Sequence, residues 1–159
     1  MPILRTSQGR SVQHCHVPNS PCQPQEVTAA QIADASVWLT KNFPNTKEIS
    51  PASYRINCHG YAYAEIHGGW FNYAKFFNDD DYSVVPFNSP QPGDIVSYIN
   101  HRGRIAHSAV VDRVSNGQIT RLRSKWGGMP AVFHELTDVP ASYGNPEILR
   151  RQNPVNQPA

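Results

Sequence analysis

The middle of the chain has the pattern of an antiparallel β-hairpin, and this feature limits the possible folds more than any other. "RIAHSAVVDRV" and "QITRLRSKW" follow a two-residue period on either side of "SNG", and an Asn-Gly pair between two such runs is a strong hairpin signal. With a two-residue turn at Asn116–Gly117, residues whose numbers sum to 233, as 116 and 117 do, face each other. The register sets His107 opposite Trp126 and Ala109 opposite Ser124.

Two further strands are predicted around this hairpin. "DIVSYIN" precedes it and "AVFHEL" follows it, and we expect Asp94 to fix the turn that enters the first of these strands. Upstream, "VTAAQIADASVWLTKNF" predicts a helix over residues 28–43. Thr28 and Gln31 fit a capping box at its start, and Pro44 ends it.

The order of these elements predicts the domain organisation. Helices come first and antiparallel strands follow, which indicates a two-layer α+β domain with N-terminal helices packed on an antiparallel β-sheet. We expect one such domain over residues 26–150, preceded by an irregular Pro-rich arm over 1–25 and followed by a flexible tail over 151–159.

Composition excludes several classes of protein. Hydrophobic residues make up 39% of the chain and charged residues 16%, which is typical of a folded domain rather than a disordered one. The 14 Lys and Arg residues are scattered and the net charge is only +2, so no nucleic-acid partner is indicated. The closest basic group, Arg121, Arg123 and Lys125, has strand-like spacing and is expected to form one solvated face.

The sequence gives no sign of a membrane span or a secretory signal. No apolar stretch approaches the ~18 residues that a spanning helix needs, and "MPILRTSQGRSVQ" lacks the apolar region of a signal peptide. We expect the protein either to remain in the cytosol or to leave by a route that this segment does not encode.

Cys58, in "NCHGYAYAE", is the candidate nucleophile. It lies where a helix is predicted to begin, and free N–H groups in a first turn favour a thiolate. A nucleophilic thiol needs a base, and His107 fits best because it leads an otherwise apolar strand face, where a polar residue needs a partner or a use. The other histidines lie in the arm (His14 and His16), beside the thiol (His59), at the predicted helix end (His67), in a polar loop (His101) and on the last predicted strand (His134).

The other two cysteines, Cys15 and Cys22, lie in "HCHVPNSPCQPQ". They predict either a pair of thiols or a small disulfide-closed loop. A zinc site that also uses His14 and His16 is the competing interpretation, but its spacing matches no common ligand pattern. We therefore predict no metal and no cofactor.

Four motifs together resemble the papain-like cysteine hydrolases, and among them the bacterial NlpC/P60-type branch that cleaves peptides of the cell wall. The motifs are "NCHGYAYAE", "QPGDIVSYI", "IAHSAVV" and "SKWG", within residues 50–128. The resemblance implies a papain-like catalytic domain in which Cys58 is the nucleophile and His107 the general base.

The resemblance leaves the third catalytic member open. In the papain pattern an asparagine two residues before Trp-Gly orients the histidine, and Ser124 holds that place here. NlpC/P60-type enzymes often use a second histidine, for which His134 is the alternative. A serine can accept a hydrogen bond from an imidazole N–H group, but it carries no charge to stabilise an imidazolium.

The residues that would bind substrate also depart from the family pattern. The oxyanion hole should combine the backbone N–H of Cys58 with a donor just upstream, for which Tyr54 and Ser53 are candidates. The NlpC/P60 pattern has Asp before and Ser after the cysteine, residues associated with gripping a free amino group. This chain has Asn57 and His59 instead, which affects the expected substrate more than the reaction class.

Three functions remain open from the sequence. The first is a cysteine amidase or endopeptidase that acts on peptidoglycan peptides in the periplasm or cell wall. Such a protein would be an antibacterial toxin exported by a specialised secretion route, with a possible cognate immunity protein, or a lytic enzyme. The second is a papain-like protease, deamidase or acyltransferase with a protein or lipid target. The third is a binding module without turnover.

Overall fold

The computed structural model describes residues 14–15, 27–53, 56–63, 70–71 and 82–151. Within these ranges the helices are α1 (Ala29–Asn42), α2 (Cys58–Tyr63) and a one-turn 3₁₀ helix (Ala141–Tyr143). The strands are β1 (His14–Cys15), β2 (Lys47–Ser50), β3 (Trp70–Phe71), β4 (Tyr82–Val85), β5 (Ile95–Ile99), β6 (Ile105–Ser115), β7 (Gln118–Lys125), β8 (Ala131–His134) and β9 (Asn145–Arg151).

Seven of these strands form one antiparallel sheet in the order β2-β8-β7-β6-β5-β9-β4. Strands β1 and β3 make a separate two-stranded pair. The predicted α+β class with an antiparallel sheet is confirmed. No helix in the described part of the chain is long and apolar enough to cross a lipid bilayer.

The start of α1 follows the predicted capping chemistry. The backbone N–H of Thr28 donates to Gln31 Oε1 at 2.8 Å, and the N–H of Gln31 donates to Thr28 Oγ1 at 3.2 Å. At the other end, the N–H of Phe43 donates to the carbonyl of Leu39. The helix predicted over 28–43 is confirmed to within one residue at each end.

The hairpin between β6 and β7 is also confirmed. Asn116 and Gly117 have φ angles of 52° and 72°, the left-handed conformation that a type I′ turn requires at both positions. Val111 pairs with Leu122 in the predicted register. An irregularity around Arg113 shifts the pairing by one residue, and the register recovers beyond it.

Asp94 fixes the turn before β5, as expected. The N–H of Gln91 donates to Asp94 Oδ2 at 2.8 Å. Arg150 of β9 reaches the same carboxylate, with Nε at 2.8 Å from Oδ1 and Nη2 at 2.8 Å from Oδ2. This buried carboxylate therefore also ties the last strand of the sheet to the turn.

Three strands of the seven-stranded sheet lie where none was predicted. Strand β2 follows α1, β4 precedes the turn at Asp94, and β9 covers the end of the predicted domain. Since β9 is inserted between β5 and β4, it fills its backbone hydrogen bonds on both sides. Arg151, expected as the first residue of the flexible tail, is instead the last residue of β9 and pairs with Tyr82 of β4.

The two sides of the sheet differ in what they carry. One side, the histidine face, holds the main apolar cluster, which includes Tyr98, Ala109, Val111, Leu122 and Ile148. Strand pairing and side-chain alternation place His107, Ser124, Val132 and His134 on this face as well. The opposite side, the α2 face, carries Ser97, Ser108, Arg123 and Lys125.

The two helices do not form the single layer that was expected. Leu39 of α1 packs in a cluster with Trp126 and Val132, which belong to the histidine face. Helix α2 instead lies over β6 and β7, with Tyr63 Oη 3.5 Å from Ser97 Oγ. The helices separate because α1 docks its apolar side on the Trp126 cluster, whereas α2 presents polar and aromatic groups to the opposite face.

Candidate functional site around Cys58

Cys58 opens α2, and Asn57 caps that helix. Asn57 is 5% exposed, and its Oδ1 accepts a hydrogen bond from the backbone N–H of Gly60 at 2.8 Å. An asparagine that accepts from the third residue of a helix satisfies one of the N–H groups left free there. The predicted substrate-binding residue Asn57 is therefore placed as a buried helix cap.

The Cys58 thiol is 8% exposed and lies against backbone donors. Burial raises the pKa of the thiol from 9.0 to about 11, because a thiolate loses its hydration there. The backbone N–H groups of Ser108, His59 and Cys58 itself, together with the positive charge of Lys125, oppose this rise. The burial effect is the largest, so the thiol is neutral at pH 7.

His59 turns towards strand β6. Its Nδ1 lies 2.9 Å from Ser108 Oγ, on the α2 face of the sheet. Burial lowers the pKa of His59 from 6.5 to about 4, so this ring is neutral at pH 7. His59 and Cys58 therefore both contact Ser108, one through its hydroxyl group and the other through its backbone.

His107 lies on the histidine face and is 1% exposed. Its Nε2 atom is buried and has no hydrogen-bond partner among the described residues. Burial lowers the pKa of His107 well below 6.5, and the nearby His134 and His59 lower it further. An unpaired buried polar atom is uncommon in folded proteins and calls for an explanation.

Cys58 and His107 approach the same segment of β6 but are not hydrogen-bonded through Nε2. The thiol lies at the backbone N–H of Ser108, which directly follows His107. Consecutive side chains of a strand point to opposite faces, so the imidazole extends away from the face that α2 covers. The structure therefore brings the two predicted catalytic residues to neighbouring positions without joining them.

Tyr143, which sequence reasoning missed, stacks on His107. The two ring centroids are 4.4 Å apart with an angle of 13° between the planes. Burial raises the pKa of Tyr143, and the negative charge that Cys58 can carry raises it further, which places the phenol near the thiol as well. Gly144 holds the Tyr143 turn close to the sheet, since its φ is 89° and a Cβ there would lie 1.9 Å from the carbonyl oxygen of Ile99.

Ser124 and His134, the two candidates for the third member, are bonded to each other. His134 Nδ1 lies 2.7 Å from the carbonyl oxygen of Glu135, which can only accept. That nitrogen therefore carries the proton, and the Ser124 hydroxyl donates to His134 Nε2 at 2.8 Å. Ser124 Oγ also accepts from Trp126 Nε1 at 2.9 Å. Neither side chain is bonded to Nε2 of His107.

Burial also controls the charge of this pair. It lowers the pKa of His134 from 6.5 to about 4. The Ser124–His134 pair is therefore neutral at pH 7, and it provides no negative charge to stabilise an imidazolium at His107.

Lys125 corrects an expectation from the sequence, which placed it on a solvated face. It is 1% exposed, and its Nζ donates to the carbonyl oxygens of Ser53 at 2.8 Å, Gly127 at 2.7 Å and Met129. The sequence does contain a signal for this location. In the predicted hairpin register Lys125 faces Ser108, and Ser108 lies on the side of the sheet that α2 covers.

The remaining predicted site residues have varied placements. Tyr54 lies outside the described residues. The backbone N–H of Ser53, the other oxyanion candidate, donates to the carbonyl of Gly128 at 3.0 Å and is already used.

The backbone of Cys15 pairs with that of Trp70, whereas Cys22 lies outside the described part of the chain. Within the described ranges, no three or more His, Cys, Asp or Glu residues are grouped to hold a metal ion.

Comparison with known protein families, with curated proteins and with solved structures finds no match to this chain. Function must therefore be inferred from the residues around Cys58 themselves.

Proposed function

We propose that this protein is a papain-like cysteine hydrolase that cleaves amide bonds in peptidoglycan peptides, with Cys58 as nucleophile and His107 as general base. The observation that carries the proposal is the buried, unpartnered Nε2 atom of His107, one residue away from the backbone group that contacts the thiol. A buried polar atom without a partner costs free energy, ~1–3 kcal/mol. Proton transfer during catalysis gives that atom a use.

The chemistry follows from the neutral state of both groups. The imidazole of His107 accepts the proton of the Cys58 thiol as the sulfur attacks the substrate carbonyl carbon. The C–N bond then breaks, the imidazolium returns its proton to the leaving amine, and an acyl-enzyme remains. Water, activated by the same imidazole, hydrolyses the thioester and regenerates the thiol.

Nε2 of His107 has no hydrogen-bond partner in the resting structure, so the proposal requires its contact with the thiol to form when substrate binds. Catalytic hydrogen bonds are often long or absent without substrate and tighten in the complex. The backbone N–H groups of Ser108 and His59 that lie at the sulfur stabilise negative charge there during the attack.

Two neighbouring features support the base. Tyr143 stacks on the His107 ring and limits its rotation. Ser124 is our preferred third member and His134 the alternative, and their mutual hydrogen bond lies on the same face of the sheet as the imidazole. In this proposal the protein acts in the periplasm or cell wall as a toxin or lytic enzyme, and a producing cell needs an inhibitor protein.

The test is digestion of purified peptidoglycan with fragment analysis by mass spectrometry. The wild-type protein should release shortened peptides, and Cys58→Ala should release none. His101→Ala is the matched control, because His101 lies exposed in a turn outside the site and should leave the fragment pattern unchanged. Identical fragment patterns for wild type and Cys58→Ala would refute the proposal.

A second candidate function is a binding module without turnover. The specific observation in its favour is the raised pKa of the Cys58 thiol, which is typical of an inert buried cysteine. This candidate predicts that wild type and Cys58→Ala co-sediment equally with peptidoglycan and that neither releases fragments. Fragments released by the wild type alone would exclude it.

A further inference from the structure

We infer that Lys125 is a positioning residue for Cys58: its buried ammonium ties the segment that leads into the nucleophile to the β7–β8 loop and keeps a positive charge beside the sulfur. This inference deepens the proposed function and rests on it for its catalytic meaning. The thiol can nevertheless be probed without any substrate.

The tether consists of three hydrogen bonds to backbone oxygens. The ammonium of Lys125 donates to Ser53, five residues before Cys58, and to Gly127 and Met129 in the loop after β7. A hydrogen bond from the N–H of Ser53 to the carbonyl of Gly128 joins the same two segments. Together these contacts fix the chain that enters α2 relative to the sheet.

The register gives the second step. At this end the β6–β7 ladder finishes with the pair Val110 and Arg123, and its register, continued by two residues, sets Lys125 opposite Ser108. Both face α2, and the N–H of Ser108 contacts the Cys58 thiol. The Lys125 side chain therefore starts beside Ser108, the strand residue whose backbone N–H contacts the Cys58 sulfur.

Charge gives the third step. The titratable groups that flank the sulfur are His59, the next residue on α2, His107, which precedes Ser108 on β6, Tyr143 on the 3₁₀ helix and Lys125 on β7. Arg123, which shares the α2 face of β7, lies over the Tyr61 ring instead. Burial keeps the first three neutral at pH 7. Among the described groups near the thiol, Lys125 thus supplies the positive charge that favours a thiolate.

The experiment measures the rate at which iodoacetamide alkylates Cys58, followed by mass spectrometry of the Cys58 peptide, across a range of pH. Lys125→Gln keeps hydrogen-bond donors but removes the charge, and Lys125→Met removes both. A nearby positive charge favours the thiolate, and the Lys125 charge is the smallest of the effects that lower the thiol pKa, so Lys125→Gln should slow alkylation severalfold at a fixed pH below the thiol pKa. Lys41→Gln removes a lysine charge from the exposed end of α1 and should change nothing.

The outcomes separate the possibilities. A folded Lys125→Gln protein with the wild-type alkylation profile overturns the inference. If the variants do not fold, acetylation of native wild type decides: Lys125 should react much more slowly than Lys41 and Lys47, and equal rates overturn the buried tether. If alkylation slows as expected but Cys58→Ala and wild type give the same peptidoglycan fragments, the hydrolase proposal fails and the role of Lys125 stands.

Discussion

Acid should destabilise this protein through His134, and the magnitude follows from its environment. Burial holds the pKa of the folded-state imidazole at about 4, compared with 6.5 in an unfolded chain. Between these values the unfolded chain binds the proton and the folded one does not, so stability falls as pH falls. The contribution is complete above pH ~6.5 and lost below pH ~4, and a shift of this size corresponds to ~3 kcal/mol.

The perturbation that tests this reasoning is His134→Gln. A glutamine amide can accept from the Ser124 hydroxyl and donate to the Glu135 carbonyl, as the neutral imidazole does, but it does not titrate. The free energy of unfolding, from urea titrations at several pH values between about 4 and 7, should therefore depend less on pH in the variant. One proton accounts for a slope of ~1.4 kcal/mol per pH unit.

The controls isolate the residue. His101→Gln changes an exposed histidine and should keep the wild-type slope. His59, whose pKa is also lowered to about 4 by burial, should leave a residual slope in the His134→Gln protein. If His134→Gln and wild type lose stability equally between pH 6.5 and pH 4, His134 is protonated as easily in the folded protein as in the unfolded one, and the reasoning is refuted.

Three further predictions concern the nucleophile and its surroundings. Burial raises the pKa of the Cys58 thiol from 9.0 to about 11, so wild type should lose stability as pH rises from 9 to 11 and Cys58→Ala should lose less. Equal losses in urea titrations would contradict this. Asn57→Ala should cost ~1 kcal/mol of unfolding free energy through the lost cap, whereas Asn57→Asp keeps the acceptor and should cost less; equal stability of Asn57→Ala and wild type would contradict the cap. Tyr143→Leu should lower the rate of peptidoglycan cleavage at least severalfold and Tyr143→Phe should not, because only phenylalanine preserves the stack on His107. Equal rates for Tyr143→Leu and wild type would remove Tyr143 from the mechanism.

The parts of the fold that the sequence predicts correctly depend on neighbouring residues. The capping box at Thr28 and Gln31 is complete within one helical turn. The Asn116–Gly117 turn needs only two residues that tolerate left-handed angles, and it then determines the register of β6 on β7. Such features are encoded where they occur, so sequence inspection finds them.

The missed strands depend on partners far along the chain. Strand β9 pairs with β5 and β4, and its segment "NPEILRR" has too few alternating apolar residues to be recognised alone. Among the described strands, β2 pairs only with β8 at the edge of the sheet, and it is exposed throughout. Their positions are set by the sheet edges available after folding, which no local pattern records.

The candidate site shows a related limit on a smaller scale. The sequence indicated that Cys58 and His107 meet at the start of one strand, but it did not indicate which of two consecutive side chains faces α2. In the structure the Ser108 side chain faces α2, and its Oγ lies 2.9 Å from Nδ1 of His59. The same register places Lys125, expected in solvent, beneath the helix that carries the thiol.

The burial of Cys58 and His107 has a consequence for the proposed chemistry. Burial raises the pKa of the thiol and lowers that of His107, so it opposes moving the proton from sulfur to imidazole before substrate arrives. A preformed thiolate–imidazolium pair is therefore not the resting state. The proton must leave as the S–C bond forms, when negative charge passes from sulfur to the substrate oxygen. An enzyme of this kind would show a slow cysteine towards small alkylating agents and a fast one towards its own substrate, so thiol reactivity alone does not measure its catalytic capacity.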